Sequence, residues 1–290
     1  MPSLLVTGAT GKQGGATINA LLAAGGSNKI HALTRNPSSK AAQALASRGV
    51  TLVQGNLNEK DSLVQALRNI DAALLVTDFM GPKGVEGEVE QGKLFVDAAK
   101  SAGVKHVVFT SVQSADRAPS VPHFDSKAKI EEHLKAATPL SWTILRPVAF
   151  MDNIAPSGIA RFFGLTFFGG AMGGAKPVQF VAVEDIGKVA AAALTSPDKY
   201  HNEVIDLAGD DLTVPQVQQA FQRGTGSWAW RLWLPQFLVR NILPLEFKRM
   251  FAFFHQPGYN ARISAIRSRF PHMMTFEDYA RKGNKAIKSD

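Results

Sequence analysis

The sequence predicts an α/β fold, a doubly wound parallel sheet followed by a smaller C-terminal lobe. Three observations carry that expectation. Short β-branched and aliphatic runs alternate with segments of helical period, the pattern of βαβ units. The strand-like runs are apolar throughout rather than at every second residue, as in a sheet covered on both faces. A glycine-rich turn, Val6-Thr7-Gly8-Ala9-Thr10-Gly11-Lys12-Gln13-Gly14-Gly15, joins the first strand directly to the first helix.

Strands are expected over residues 3–7, 29–34, 51–55, 72–77, 106–111 and 141–145. Between the first two, Ile18, Leu21 and Leu22 fall at i, i+3 and i+4, and Gly25-Gly26 ends the helix. Leu63, Leu67 and Ile70 repeat the pattern, as do Phe95, Ala98, Ala99 and Ala102 ahead of Gly103. After Arg146-Pro147 the texture changes. Residues 158–175, rich in glycine and carrying Phe162, Phe163, Phe167 and Phe168, show no clean period and read as a mobile loop or small lobe. Helical period returns at Ile186, Val189, Ala190 and Ala193, with Glu184-Asp185 at its N-terminus, and residues 203–207 form a further strand. Thr213 reads as an N-cap, with Pro215 in the first turn of a helix carrying Val217 and Phe221. From about Gly224 the chain is rich in Trp, Phe, Arg and Pro and reads as mostly helical, with Trp228, Trp230 and Trp233 in its core. A nucleotide-binding domain is therefore expected at residues 1–152, with 176–207 returning to it. The smaller lobe takes residues 153–175 and 208–290.

The 290 residues are 45% hydrophobic and 19% charged, which suits a sizeable core and excludes wholesale disorder. No cysteine is present. That removes disulfides, thiolate metal sites, iron–sulfur clusters and a cysteine nucleophile, and it fits a reducing compartment. The seven histidines lack metal-site spacing, so no metal is expected. Neither a Gly-x-Ser-x-Gly elbow nor a Gly-Lys-Ser/Thr loop occurs. A membrane span needs ~20 apolar residues, and the most apolar late stretch, residues 228–254, is broken by Arg231, Pro235, Arg240, Pro244, Glu246, Lys248 and Arg249. A soluble chain without a membrane partner is the expectation, cytoplasmic, or nuclear for a regulator. The net charge of +8 is scattered and dense only at residues 262–269 and 281–288. It points to anionic small ligands and away from nucleic acid.

In the glycine-rich turn, Gly8, Gly11 and Gly14 let the backbone turn tightly and approach a pyrophosphate at the helix N-terminus, with Thr10, Lys12 and Gln13 beside it. An NAD site usually places an acid ~20 residues further on, against the ribose 2′-hydroxyl. Here the second strand ends in Leu33-Thr34-Arg35-Asn36-Pro37-Ser38-Ser39-Lys40. It offers Arg35 instead, whose guanidinium suits a 2′-phosphate, with Lys40 and Lys12 as further cations. NADP(H) is the expected cofactor. Thr77, Asp78 and Phe79 end the fourth strand, where the carboxyl edge of a parallel sheet faces its ligand, and Ser111 ends the fifth.

These residues are similar to a known family. Thr7-Gly8-Ala9-Thr10-Gly11-x-x-Gly14, the Leu33-Thr34-Arg35 strand end, Gly103-Val104-Lys105-His106-Val107-Val108, Leu145-Arg146-Pro147 and the late Gly258-Tyr259-Asn260-Ala261, Phe270-Pro271 and Thr275-Phe276-Glu277 resemble the atypical short-chain dehydrogenase/reductases. Within them the NmrA-like group, which includes redox sensors and relatives of isoflavone reductases, is the closest match. The resemblance implies an NADP-binding Rossmann domain. The family's active enzymes carry a Tyr four residues before a Lys. This chain has His123-Phe124-Asp125-Ser126-Lys127, so His123 stands where the phenol would be. The resemblance implies that Lys127 holds the nicotinamide ribose. A histidine can donate a proton near neutral pH, and Ser111 is a candidate third partner. The family often has Gly-Asp near adenine, where this chain has Gly55-Asn56. Pro147, Val148 and Phe150 occupy a stretch that borders the nicotinamide in relatives. Met151, Asn153 and the Phe162–Phe168 group either line an apolar substrate pocket or simply pack.

Two functions remain open. One is an NADP(H)-dependent oxidoreductase reducing a small carbonyl, enone or quinone-like molecule of apolar or aromatic character, with His123, Ser111 or water as proton donor. The other is a redox-sensing regulator that binds the dinucleotide without turnover and signals to a protein partner.

Overall fold

The computed structural model describes residues 1–118, 120–173 and 176–289. They fall into two compact units. The first holds Met1–Asp116, Pro122–Arg146 and Ile186–Ile205, and the second Arg117–Val121, Pro147–Asp185 and Asp206–Asp290.

Strands and helices alternate through the first unit: β1 (Ser3–Val6), α1 (Lys12–Ala23), β2 (Lys29–Thr34), α2 (Lys40–Ala46), β3 (Thr51–Gln54), α3 (Lys60–Ala66), β4 (Ala72–Leu75), α4 (Gly84–Ser101), β5 (His106–Thr110), α5 (Pro122–Ala136) and β6 (Ser141–Pro147). The second part of the chain adds β7 (Ala149–Phe150), α6 (Gly158–Met172), β8 (Val178–Val181), α7 (Val183–Thr195), β9 (Glu203–Leu207), β10 (Asp210–Leu212), α8 (Val214–Thr225), α9 (Gln236–Ile242), α10 (Leu245–His255), α11 (Ile263–Arg269) and α12 (Phe276–Ser289). The main sheet runs β3-β2-β1-β4-β5-β6-β9, and the pairs from β3 through β6 are parallel. This is the doubly wound Rossmann sheet expected. Its strand order reverses between β1 and β4, the switch point at which such sheets take their ligands.

Because side chains alternate along a strand, each strand feeds two cores. Leu5, Ala73, Leu75, Val107, Phe109 and Ile144 face one, with Phe95, Val96, Ala99, Ile130 and Leu134 from α4 and α5. Leu4, Val6, Leu74 and Val108 are equally buried and take the other face. There α7 closes on α1, where a Cβ at Gly187 would stand 2.5 Å from the Ala16 carbonyl carbon.

Three expectations change. Residues 158–172 are helical rather than a loop; Gly174 and Ala175, at the end of that stretch, lie outside the described residues. Helical period is masked there because α6 is flanked on more than one side. Its Gly170 lets the chain that follows α8 pack close, and a Cβ there would sit 2.5 Å from Val239. The boundary between units also differs from residue 152. β7 pairs with β8 in a three-stranded sheet with β10, which draws residues 147–152 and 176–185 into the second unit. Finally, Trp230 and Trp233 are not core: they are 72% and 76% exposed, while Trp228 is half-buried.

Candidate cofactor site at the strand ends

All six strands from β1 to β6 end on one edge of the sheet, and that edge gathers most of the expected site residues of the first unit. The turn after β1 is held by Thr7, whose hydroxyl accepts from the Val76 amide at 2.8 Å. Gly8 adopts φ +57, a left-handed conformation that favours glycine. Gly11 caps α1, and Gly14 passes so close to the turn that a Cβ would lie 2.3 Å from the Gly8 oxygen. The loop thus presents bare backbone at a helix N-terminus, with Thr10 and Lys12 exposed. Gln13 is half-buried, and its side-chain oxygen is buried with no hydrogen-bond partner. An unpaired buried acceptor costs free energy, which makes this oxygen a candidate ligand contact. The cradle fits a dinucleotide pyrophosphate, and the unpaired Gln13 oxygen can accept from a hydroxyl or N–H of the same ligand.

One strand away, Arg35 is exposed at the end of β2 and forms no ion pair among the described residues. Lys40 opens α2, also exposed, and Ser39 caps that helix by accepting from the Ala42 amide. Asn56, beyond β3, accepts from the Asn58 amide at 3.1 Å and donates to Glu59 at 2.8 Å, so its side chain shapes its own turn. Asp78 likewise accepts from the Met80 amide.

Helix α5 starts at Pro122, which puts His123 and Lys127 one turn apart in one helix. The His123 ring is largely buried and stacks on Phe79, with centroids 4.6 Å apart, and it meets Phe124 edge-on. Lys127 is buried as well. Its ammonium donates to Thr77 Oγ1 at 2.7 Å and Thr110 O at 3.4 Å, and pairs with Glu88 at 2.9 Å. Three acceptors take its three N–H groups. Glu88, fully buried, also accepts from Thr77 and Ser126. Burial works to raise its pKa, but the Lys127 charge and the hydrogen bonds from Ser126, Lys127 and Thr77 outweigh it, holding the carboxyl below its usual value. Glu88 therefore anchors Lys127 as a charged group at the ends of β4 and β5.

A second buried carboxylate stands one turn along α5. Glu131 accepts two bonds from Arg146, at 2.9 and 2.6 Å, and one from Lys135 at 3.2 Å. It also accepts from the Ser111 hydroxyl at 2.6 Å, which leaves Ser111 only lone pairs to offer a ligand. Burial of Arg146 is outweighed by Glu131 and Asp116, which keep it firmly charged. Within the first unit, Tyr200 does not replace the missing phenol. Tyr200 lies near the start of β6, where its carbonyl accepts from Thr143, and Tyr259 and Tyr279 belong to the second unit.

Pro147 and Phe150 also fall in the second unit. So does the Phe162–Phe168 group, whose members divide. Phe168 packs against Phe180 and Phe251, whereas Phe163 and Phe167 are exposed. Met151 is fully buried, a packing residue. Within this unit a cleft of about 430 Å³ is lined by Lys176, Gln179, Asp211, His255 and Tyr259 among others, none of them an expected site residue.

A model of the NmrA-like family matches residues 2–280. The chain belongs to the NmrA-like family. Quinone oxidoreductase 2 of Escherichia coli (strain K12) is 30% identical to this NmrA-like chain over 224 residues, covering 77% of the chain and 74% of the relative. A crystal structure of an NADPH-dependent quinone oxidoreductase from Escherichia coli, complexed with NADPH, superposes with a TM-score of 0.78 at 24% identity, covering 96% of this chain and 98% of that one. NmrA, a negative transcriptional regulator solved with NAD, superposes at 0.74 with 20% identity, covering 97% and 94%. The family thus spans oxidoreductases and a regulator on one fold, and function has to be argued from the site.

Proposed function

We propose that the chain is an NADP(H)-dependent oxidoreductase that reduces a small carbonyl, enone or quinone-like molecule, aromatic in character. The observation that carries this reading is the pairing of a bare glycine cradle, with its unsatisfied Gln13 amide, and the exposed, unpaired Arg35 on the neighbouring strand. The NADPH-bound neighbour supports it by likeness of fold. When bound, the dinucleotide supplies the hydride. The chain's own residues bind and orient: Gly8, Gly11, Gly14 and the N-terminus of α1 receive the pyrophosphate, and Arg35, with Lys12 and Lys40, receives the 2′-phosphate. Asn56 faces the adenine side, and Thr77, Asp78 and Phe79 border the ligand at the end of β4. Lys127 grips the ribose by giving up its longest bond, the one to Thr110 O. His123, held flat by Phe79, donates the proton to the substrate oxygen.

One observation favours the regulator as second reading: the Ser111 hydroxyl donates its hydrogen bond to Glu131 and so has none to offer a substrate oxygen. Single-turnover oxidation of bound NADPH against aromatic ketones, enones and quinones separates the two. An enzyme oxidises NADPH with at least one of them, and His123→Ala lowers kcat by about 10²–10⁴-fold, the usual worth of a positioned acid. No oxidation with any of them, together with unequal binding of NADP⁺ and NADPH, makes the chain a sensor.

A further inference from the structure

The second unit exposes an unusual amount of large apolar side chain along one flank. On α6, Ile159, Phe163 and Phe167 recur every four residues and are all exposed, Phe163 by 61%. Against this helix lies the stretch between α8 and α10. The Leu232 amide donates to Thr166, and Gln236 donates to the Ala171 carbonyl. That stretch adds Trp230, Leu232, Trp233, Phe237, Leu238 and Ile242, and α10 begins on Leu245, all exposed, with Ile242 at 77%. Clustered exposure of this kind marks an interaction surface, since scattered single residues are the norm.

The charge around it is one-sided. Arg231, Lys248 and Arg249 stand on or beside these elements, against Glu246 alone, in a chain of net charge +8. A second copy docking through this flank would bring like charges together. An occupant that is both apolar and negative is complementary, and exposed tryptophans beside Arg and Lys are the composition of a membrane–water interface. We propose that this flank of the second unit docks on an anionic lipid surface. Such a protein lies on the bilayer and needs no span, and indeed no helix among the described residues is long and apolar enough to cross one. The expectation of no membrane partner rested on the lack of a span, so it does not bear on this surface.

Co-sedimentation of the full chain with phosphatidylcholine vesicles, with and without phosphatidylglycerol, tests the proposal. The chain should pellet with the phosphatidylglycerol vesicles, with a blue shift of tryptophan emission, and added salt should release it. Trp230→Ala combined with Trp233→Ala should weaken binding by at least roughly tenfold, because the buried apolar area drives insertion. Lys248→Glu and Arg249→Glu should each cost about fivefold at low salt. Both tryptophans are exposed, so the double variant should keep the wild-type circular dichroism and melting temperature. No binding to phosphatidylglycerol vesicles overturns the proposal, as does equal binding to phosphatidylcholine alone. A dimer seen by light scattering that the tryptophan variant abolishes would make a second copy the occupant instead.

Discussion

Two buried carboxylates, Glu88 on α4 and Glu131 on α5, solve the same problem differently. Glu131 meets a planar guanidinium in two bonds, with Lys135 and Ser111 filling what remains. Glu88 meets the point charge of Lys127 and two hydroxyls. A bidentate arginine pair fixes geometry as well as charge, whereas an ammonium can rotate and trade partners. The arginine site is therefore a lock between α5 and β6, and the lysine site is a cation held ready at the strand ends. Position agrees, since Lys127 reaches Thr77 and Thr110 at the carboxyl edge, where cofactors bind.

The comparison breaks most visibly at Arg146. Arg146→Met leaves Glu131 buried with its main partner gone and should cost about 3–5 kcal/mol in urea unfolding. Cofactor affinity should stay within about twofold. Equal loss of NADPH binding would dissolve the distinction between lock and ready cation. Lys127→Met should also destabilise, and it should weaken NADPH binding as well. In that variant burial acts on Glu88 without the lysine charge, so its folded pKa rises above the ordinary 4.5. A raised carboxyl contributes stability below its unfolded pKa that is lost as pH rises through the folded value. The variant should therefore gain stability on acidification through the range above 4.5, opposite to wild type, in which the depressed Glu88 favours the fold above that pH.

His106 sharpens the picture from the far end of β5. It is buried between Ser141 and Thr143, and burial, with His201 nearby, lowers its pKa from 6.5 to about 4. The unfolded chain binds the extra proton between those values, so stability present above 6.5 is lost as pH falls toward 4. The loss is about 3 kcal/mol at full extent, at ~1.4 kcal/mol per unit. It should be missing from the pH dependence of His106→Gln, measured as the difference between the two unfolding curves. A wild-type curve parallel to that of the variant would mean the imidazole stays protonated in its buried position.

The regular half of the molecule was readable because burial leaves a period. β2 and β9 fall on their expected residues, and the glycine turn sits between β1 and α1. The spacing of His123 and Lys127 was equally plain once α5 proved to start at Pro122. The second sheet was not, since β7 and β10 have two and three residues, too few to show alternation. Glu88 and Glu131 were missed because an acid on a helix reads as solvent-facing by default. A signal for Glu88 exists. Stepping back from Phe95 through Gly92 at helical spacing lands on it, on the face where Gly92 lets α4 approach Ile130 of α5. For Glu131 the signal is Ile130 and Leu134 on either side of it, both fully buried. The tryptophans misled in the other direction: aromatic residues in a helical region read as core, and here two of them face outward.

The central claim is that the edge of the first unit binds NADP(H), with Arg35 reading the 2′-phosphate, and calorimetric titration tests it most directly. Wild type and Arg35→Ala would each be titrated with NADPH and with NADH. A charge-assisted phosphate contact contributes roughly 1.5–3 kcal/mol, so wild type should prefer NADPH by about ten- to a hundred-fold, and Arg35→Ala should erase most of that preference while binding NADH as before. Equal affinity of the wild-type chain for both dinucleotides would contradict the account.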